Sequence, residues 1–176
     1  MKKALIALGA LVGALVLVMY VGGALMSREH VASSTVVVPA SPDSVWSAIR
    51  DFAGIPGWWR DLDRVERIED PDGREVWRHR MSSGAIDIAV ERSEAPTMLV
   101  TRILAEPDAA FGGIWTYQLA PVEGGTRVTV IEAGYINNKF FRFLAGTIFG
   151  LHGTLDSYLT DLATHFGGAA TPEHVE

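Results

Sequence analysis

The run from Ala4 to Met26 constrains this chain most: 23 residues without a charge, behind Met1-Lys2-Lys3. At 1.5 Å per residue a helix of that length is about 35 Å long, enough to cross a hydrocarbon core of about 30 Å. A cleaved signal peptide is the rival reading, with Lys2 and Lys3 as its basic region and Gly22-Gly23-Ala24 as a small-residue cleavage site. The apolar part of such a leader is usually about 7–15 residues, shorter than this run. The reading adopted is an uncleaved single-pass anchor over residues 1–27. Lys2 and Lys3 precede the span, whereas Arg28 after it is offset by Glu29 and the next base is Arg50. The positive-inside rule then predicts a cytoplasmic N-terminus and an extracytoplasmic domain in the cell membrane. Gly9 and Gly13 match the small-residue helix-pairing spacing, but glycine is frequent in membrane spans without pairing.

Length leaves room for one ordinary domain, residues 28–168, and a tail, 169–176, read as disordered. The 176 residues carry 15 Lys+Arg against 21 Asp+Glu, a net charge of −6. A nucleic-acid binder or a reader of acidic lipid surfaces leans the other way, so no nucleic-acid partner is expected. There is no cysteine, which excludes disulfides, thiolate metal sites and cysteine nucleophiles.

After the apolar run, His30–Ala40 is β-branched and ends at a proline, which predicts a strand. Ser41-Pro42-Asp43 then reads as a helix start, and Val45, Trp46, Ile49 and Phe52 recur at helical spacing. Strand-like runs follow: Val65–Glu69, Arg74–Met81, Ala85–Ser93, Thr97–Ala105, Gly113–Ala120 and Thr126–Ile136, separated by tight turn signals. That spacing predicts an antiparallel meander. Trp77, His79 and Met81 share a face, as do Trp115, Tyr117 and Leu119. From Lys139 the apolar positions step by three and four through Leu144, Ile148, Leu151, Leu155, Tyr158 or Leu159, and Leu162 to Phe166, which predicts one long amphipathic helix ending at Gly167-Gly168. The expected class is α+β, an antiparallel sheet wrapped around a long C-terminal helix with an apolar cavity between them, preceded by one transmembrane helix.

Three stretches in this order resemble a known family. "VVVPASPDSVWSAIRDFAGIPGWW" resembles the opening of the START-like (SRPBCC) superfamily, whose helix-grip fold is that of the birch-pollen allergen. "GGIWTYQLAPVEGGTRVTVIEAG" resembles its penultimate hairpin, and "FFRFLAGTIFGLHGTLDSYLTDLATHFG" its closing helix. Within the superfamily the chain is most similar to the polyketide cyclase/dehydrase and lipid-transport family. The resemblance implies a hydrophobic cavity, in a family that contains binders, transporters and some enzymes, so fold alone does not assign function. It also implies that the segment holding Trp58 and Trp59 closes one end of the cavity, one ring packing inward and the other at the rim or both as structural plugs.

No catalytic spacing is evident: the five histidines form no i, i+4 metal pair, and nucleophile-elbow and phosphate-loop motifs are absent. No cofactor or metal is implied. His79, Tyr117 and Glu132 are the polar residues expected to face inward, while Asp87 and Glu91 are expected in solvent. The inward three fit general acid–base catalysis, orientation of an apolar ligand's polar end, or mutual satisfaction within a structural core. The candidate ligand-binding set is Trp58, Trp59, Trp77, His79, Trp115, Tyr117, Glu132, Ile148, Leu151 and Leu155, with no catalytic residue assigned. The expected partner is a small hydrophobic molecule, lipid or polyketide-like, bound without being transformed. An aromatase/cyclase or dehydratase in the same cavity is the alternative, and a ligand-free envelope scaffold a third. Phe140, Phe141 and Phe143 could dip into the bilayer beside the anchor. Gly146, Gly150 and Gly153 place small residues near one face, as room for a ligand, as a moving lid, or for close packing.

Overall fold

The computed structural model describes residues 2–106, 108–169 and 171–175; residues 1, 170 and 176, assigned above to anchor and tail, lie outside the described residues. The apolar run forms helix α1 (Lys2–Leu25), long and apolar enough to cross a membrane. Strand β1 (Glu29–Val38) follows, then helix α2 (Pro42–Arg50). The Ser41 hydroxyl caps α2 by accepting from the Ser44 N–H at 3.3 Å, with Pro42 and Asp43 in the first turn. A 3-10 turn (Ile55–Gly57) carries the chain to the two tryptophans.

Strands β2 (Arg64–Ile68), β3 (Glu75–Met81), β4 (Gly84–Glu94), β5 (Met98–Leu104), β6 (Phe111–Val122) and β7 (Gly125–Ile136) make the expected meander. With β1 and a two-residue β8 (Glu173–His174) they form one antiparallel sheet in the order β2-β3-β4-β5-β6-β7-β1-β8. The β4–β5 register shifts between Val90 and Arg92, a bulge of the kind that bends a strand and increases its twist. One face of the curled sheet buries Val36, Val38, Leu99, Leu119, Val128 and Val130. Helix α4 (Gly153–His165) lies in that grip and buries Leu155, Tyr158, Leu159 and Leu162 against it. The other face is solvated and laced with ion pairs, including Arg78–Asp87 at 2.7 Å and Arg102–Glu91 at 2.6 Å. Asp87 and Glu91 thus sit outward, as alternation requires.

Two features depart from expectation. The closing helix is not continuous: it runs as α3 (Lys139–Leu144), a π turn (Ala145–Phe149), a break at Gly150, and α4. Gly150 has φ of 76°, a left-handed conformation open to glycine and strained for other residues. The π turn and the break shift the helical phase, so apolar positions before Gly150 do not continue the buried face of α4. The expected Gly167 stop is present: Gly167 N–H donates to Thr164 and Gly168 N–H to Ala163, a Schellman ending.

The second departure is the tail, expected to be disordered. Glu173 and His174 pair with Thr35 and Ser34 of β1, covering an otherwise open sheet edge. The His174 ring stacks on His152 at 3.9 Å, and its Nε2 lies 2.9 Å from Asp156. Backbone pairing needs no hydrophobic pattern, so composition did not reveal it.

Candidate functional site

The turn raised by the Trp58-Trp59 pair is fastened to α4. Asp161 accepts from the Arg60 backbone N–H at 2.9 Å and from its guanidinium, and Asp61 accepts from the Ser157 hydroxyl at 2.7 Å. Hydrogen bonding from Arg60 holds the Asp161 carboxyl below the usual carboxylate range. The turn is therefore held so that Trp59 points inward. Its ring meets Tyr158 edge-on and lies 6.2 Å from the ring of Trp115, which in turn lies 5.9 Å from Tyr117.

Trp59, Trp115 and Tyr117 line a cavity of about 260 Å³ between the sheet and α4. The sheet supplies His79 and Met81 from β3, Ile86 and Ile88 from β4, Thr101 and Ile103 from β5, and Phe111, Trp115 and Tyr117 from β6. Ser83 between β3 and β4, Glu132 on β7 and Thr154 on the first turn of α4 add polar positions. The lining is mostly apolar, with a few polar groups converging inside, as in sites for small organic ligands.

Among the described residues, two buried side-chain polar atoms have no hydrogen-bond partner: Trp59 Nε1 and His79 Nε2. Both residues line this cavity. An unpaired buried polar group costs about 1–3 kcal/mol, so native proteins rarely leave one without a reason. Burial pushes the His79 imidazole down to about 4, so at neutral pH it is uncharged, with one nitrogen as donor and one as acceptor. Burial also raises the Tyr117 hydroxyl well above its ordinary value. The Glu132 carboxyl is raised by burial too, partly offset by His30 and Trp115 beside it. The His30 Nε2 lies 3.5 Å from Glu132 Oε1. It fits there because its partner across the ladder is Gly134, where a Cβ would stand 2.9 Å from the imidazole.

The structure brings Trp59, His79, Trp115, Tyr117 and Glu132 of the candidate set together around the cavity and places the others elsewhere. Trp58 packs on the outer side of Tyr158 and near His165. Trp77 stacks on Phe52 at 5.4 Å and donates to Glu75, beside the end of α2. Leu155 is fully buried in the core and Leu151 packs against it, while Ile148 is exposed on the π turn. The last group reflects the broken helix: its face was assigned on a continuous 3.6-residue period. His30 and Thr101 join the site beyond the expected set. Their signal was parity: His30 shares a face with the buried Ala32, Ser34 and Val36, and Thr101 with the buried Leu99.

The fold is found in solved structures of low sequence identity. A START superfamily protein from Mycobacterium smegmatis superposes with a TM-score of 0.62 at 20% identity, over 78% of this chain and 97% of that one. The Zhui aromatase/cyclase from Streptomyces sp. R1128 superposes at 0.62 with 14% identity, over 79% and 94%. The XoxI protein from Bacillus cereus gives 0.55 at 18% identity, over 80% and 96%. No curated protein sequence matches the chain. Residues 29–167 match the family described as polyketide cyclase/dehydrase and lipid transport. With that match covering nearly the whole grip of sheet and helix, the chain belongs to the polyketide cyclase/dehydrase and lipid transport family.

Proposed function

We propose that this protein is a membrane-anchored carrier or receptor for a small, mostly apolar molecule with one polar end. The observation that carries the reading is the pair of unpartnered buried atoms, Trp59 Nε1 and His79 Nε2, in one apolar cavity. The indole N–H donates, and the neutral imidazole donates or accepts, which suits a hydroxyl, carbonyl or carboxyl head. Apolar transfer at about 25 cal/mol per Å² supplies affinity, and satisfying the two orphaned atoms supplies orientation. The volume lies just under the roughly 300–1,000 Å³ usual for ligand pockets. It therefore suits a small ligand, or one end of a longer chain whose remainder leaves through the mouth. Helix α1 is the anchor in this reading, and the small excess of flanking positive charge at its start supports a domain outside the cytoplasm.

Cyclase or dehydratase chemistry in the same cavity is the second reading. Its support is the convergence of His79, Tyr117 and Glu132 on one cavity, where burial raises the Glu132 carboxyl above its ordinary value.

The test extracts the full chain into polymer-bounded lipid discs and identifies retained compounds by organic extraction and mass spectrometry. A Thr101→Trp variant, which fills the cavity, serves as the comparison. A compound enriched on the native chain and missing from the variant is expected. Identical extracts, together with no change of tryptophan emission on adding membrane lipid extract, would overturn the binding reading. Chemical alteration of an added lipid or polyketide-like compound, lost in Glu132→Gln, would favour the enzyme.

A further inference from the structure

Helix α1 does not trail from the domain; its last turns are docked on α3. At Gly23 a Cβ would run into the carbonyl of Lys139, and at Gly22 it would stand 2.7 Å from the ring of Phe143. Gly146, on the π turn, gives the same clearance to the side chain of Met26. Arg142 completes the joint. Its buried guanidinium donates to the carbonyls of Ile136 at 2.8 Å, Gly23 at 3.1 Å, and Met26 and Asn137 at 3.2 Å. The carbonyls of Gly23 and Met26 belong to the end of α1, where helix carbonyls lack internal partners and the helix dipole is negative. A buried cation held by four carbonyls, without a carboxylate, fastens one helix end to another.

That joint sets a depth. The apolar run ends at Met26, and α3 crosses at the level of Gly22 and Gly23, about 6 Å inside that end. Lys139 Nζ sits 4.8 Å from the centroid of the Tyr20 ring. Tyrosine with an extended lysine is a pairing suited to the boundary between headgroups and acyl chains. From this level the chain exposes Phe141 at 56%, Ile148 at 60% and Phe149 at 71%. Interfacial segments bury their apolar side chains about 5–10 Å into that same boundary.

The cavity wall reaches the surface beside this segment. Phe111, on the cavity wall and half exposed, pairs with Ile136, and the Asn137 N–H donates to Ala110; α3 starts two residues later. On the other side Thr154, in the first turn of α4, lies four residues after the Gly150 break.

We propose that α3 and the π turn form a second membrane contact. Phe141, Ile148 and Phe149 lie in the interfacial layer of the bilayer, and Arg142 locks them at fixed depth against α1, so that the cavity opens toward the lipid. The proposal rests on α1 being a retained anchor. It makes the bilayer itself the route by which the ligand reaches Trp59 and His79.

The absence of cysteine makes the test direct. Single cysteines replace Phe149, Leu11 in mid-α1, and Glu123 on the β6–β7 turn. Each full-length variant is labelled with an environment-sensitive fluorophore and reconstituted into vesicles of phosphatidylethanolamine and phosphatidylglycerol in equal parts. Nitroxide lipids labelled at shallow and deep positions then quench by depth. The label at 149 is expected to shift to the blue and lose most of its emission to the shallow quencher. The label at 11 should respond to the deep one, and the label at 123 to neither. A water-exposed 149 label beside a deeply quenched 11 label would overturn the proposal and leave the anchor standing. Water exposure at both positions would overturn the anchor reading, and the proposal with it.

Discussion

Trp59 meets Tyr158 edge-on, with ring centroids 5.0 Å apart and planes at 87°, and Trp58 meets the same tyrosine at 5.2 Å and 66°. One fully buried side chain on α4 is thus clasped by both members of the tryptophan pair. Tyr158→Ala is expected to cost about 3–5 kcal/mol, the range for deleting a large buried aromatic. Thermal unfolding in lipid discs measures the loss. Near-ultraviolet circular dichroism should lose its tryptophan signal in parallel, because both rings lose the edge contact that orders them.

Trp59→Phe separates the donor from the ring. The variant keeps an aromatic at the cavity wall and removes a buried N–H that has no partner. Stability should change by less than about 1.5 kcal/mol, since the lost packing is offset by the orphaned donor's removal. Retention of the co-purifying ligand should fall about tenfold, the value of one hydrogen bond. An unchanged ligand titration would mean that the indole N–H does not meet the ligand.

His79 gives the fold a pH dependence of defined sign. Its folded value is about 4, below the ordinary value of about 6.5, so between these limits the unfolded chain binds the extra proton. The stability linked to neutral His79 is complete above about pH 6.5 and declines as pH falls to 4, by about 3 kcal/mol in all. Lowered carboxyls such as Asp161 act in the same direction at still lower pH, as they protonate. Unfolding curves at pH 7 and pH 4.5 should therefore diverge for the native chain and diverge much less for His79→Gln.

Glycines along α1 should respond unequally. Gly9 and Gly13 face open space, whereas Gly23 faces the Lys139 carbonyl. Gly23→Ala is expected to pry α1 from α3 and expose the Arg142 joint, seen as new proteolytic cleavage between residues 26 and 29. Gly9→Ala and Gly13→Ala should leave the digestion pattern unchanged. Equal sensitivity at all three positions would point to helix pairing between copies.

Much of the architecture was legible because it is written locally. Alternation in Trp115-Thr116-Tyr117 and Val128-Thr129-Val130 marks strand faces, and a period of two leaves no ambiguity about which residues share a face. Ser41-Pro42-Asp43 announces a helix start through its own backbone chemistry. The same parity brought His79, Tyr117 and Glu132 onto one concave face before any contact was known. The C-terminal helix departs from its sequence pattern for an equally local reason. Steps of three and four continue across Gly146, Gly150 and Gly153, and nothing in the pattern says that the chain will insert a π turn or adopt a positive φ there. Ile148 and Leu155 therefore seemed to share a face that the break divides.

The sequence by itself determined the apolar helix, the order of strands, the inward parity of the aromatic and titratable residues, and the family. The first three follow from the spacing of a few neighbours along the chain, the family from a resemblance carried by three longer stretches. Only the tertiary structure decided that Trp59 rather than Trp58 enters the cavity, that His30 reaches Glu132 over Gly134, and that Arg142 grips the end of α1. Those outcomes depend on which backbone carbonyls and ring faces meet across separations as large as the 119 residues between Gly23 and Arg142. Close packing admits one such arrangement and excludes its neighbours, and no local pattern carries that information.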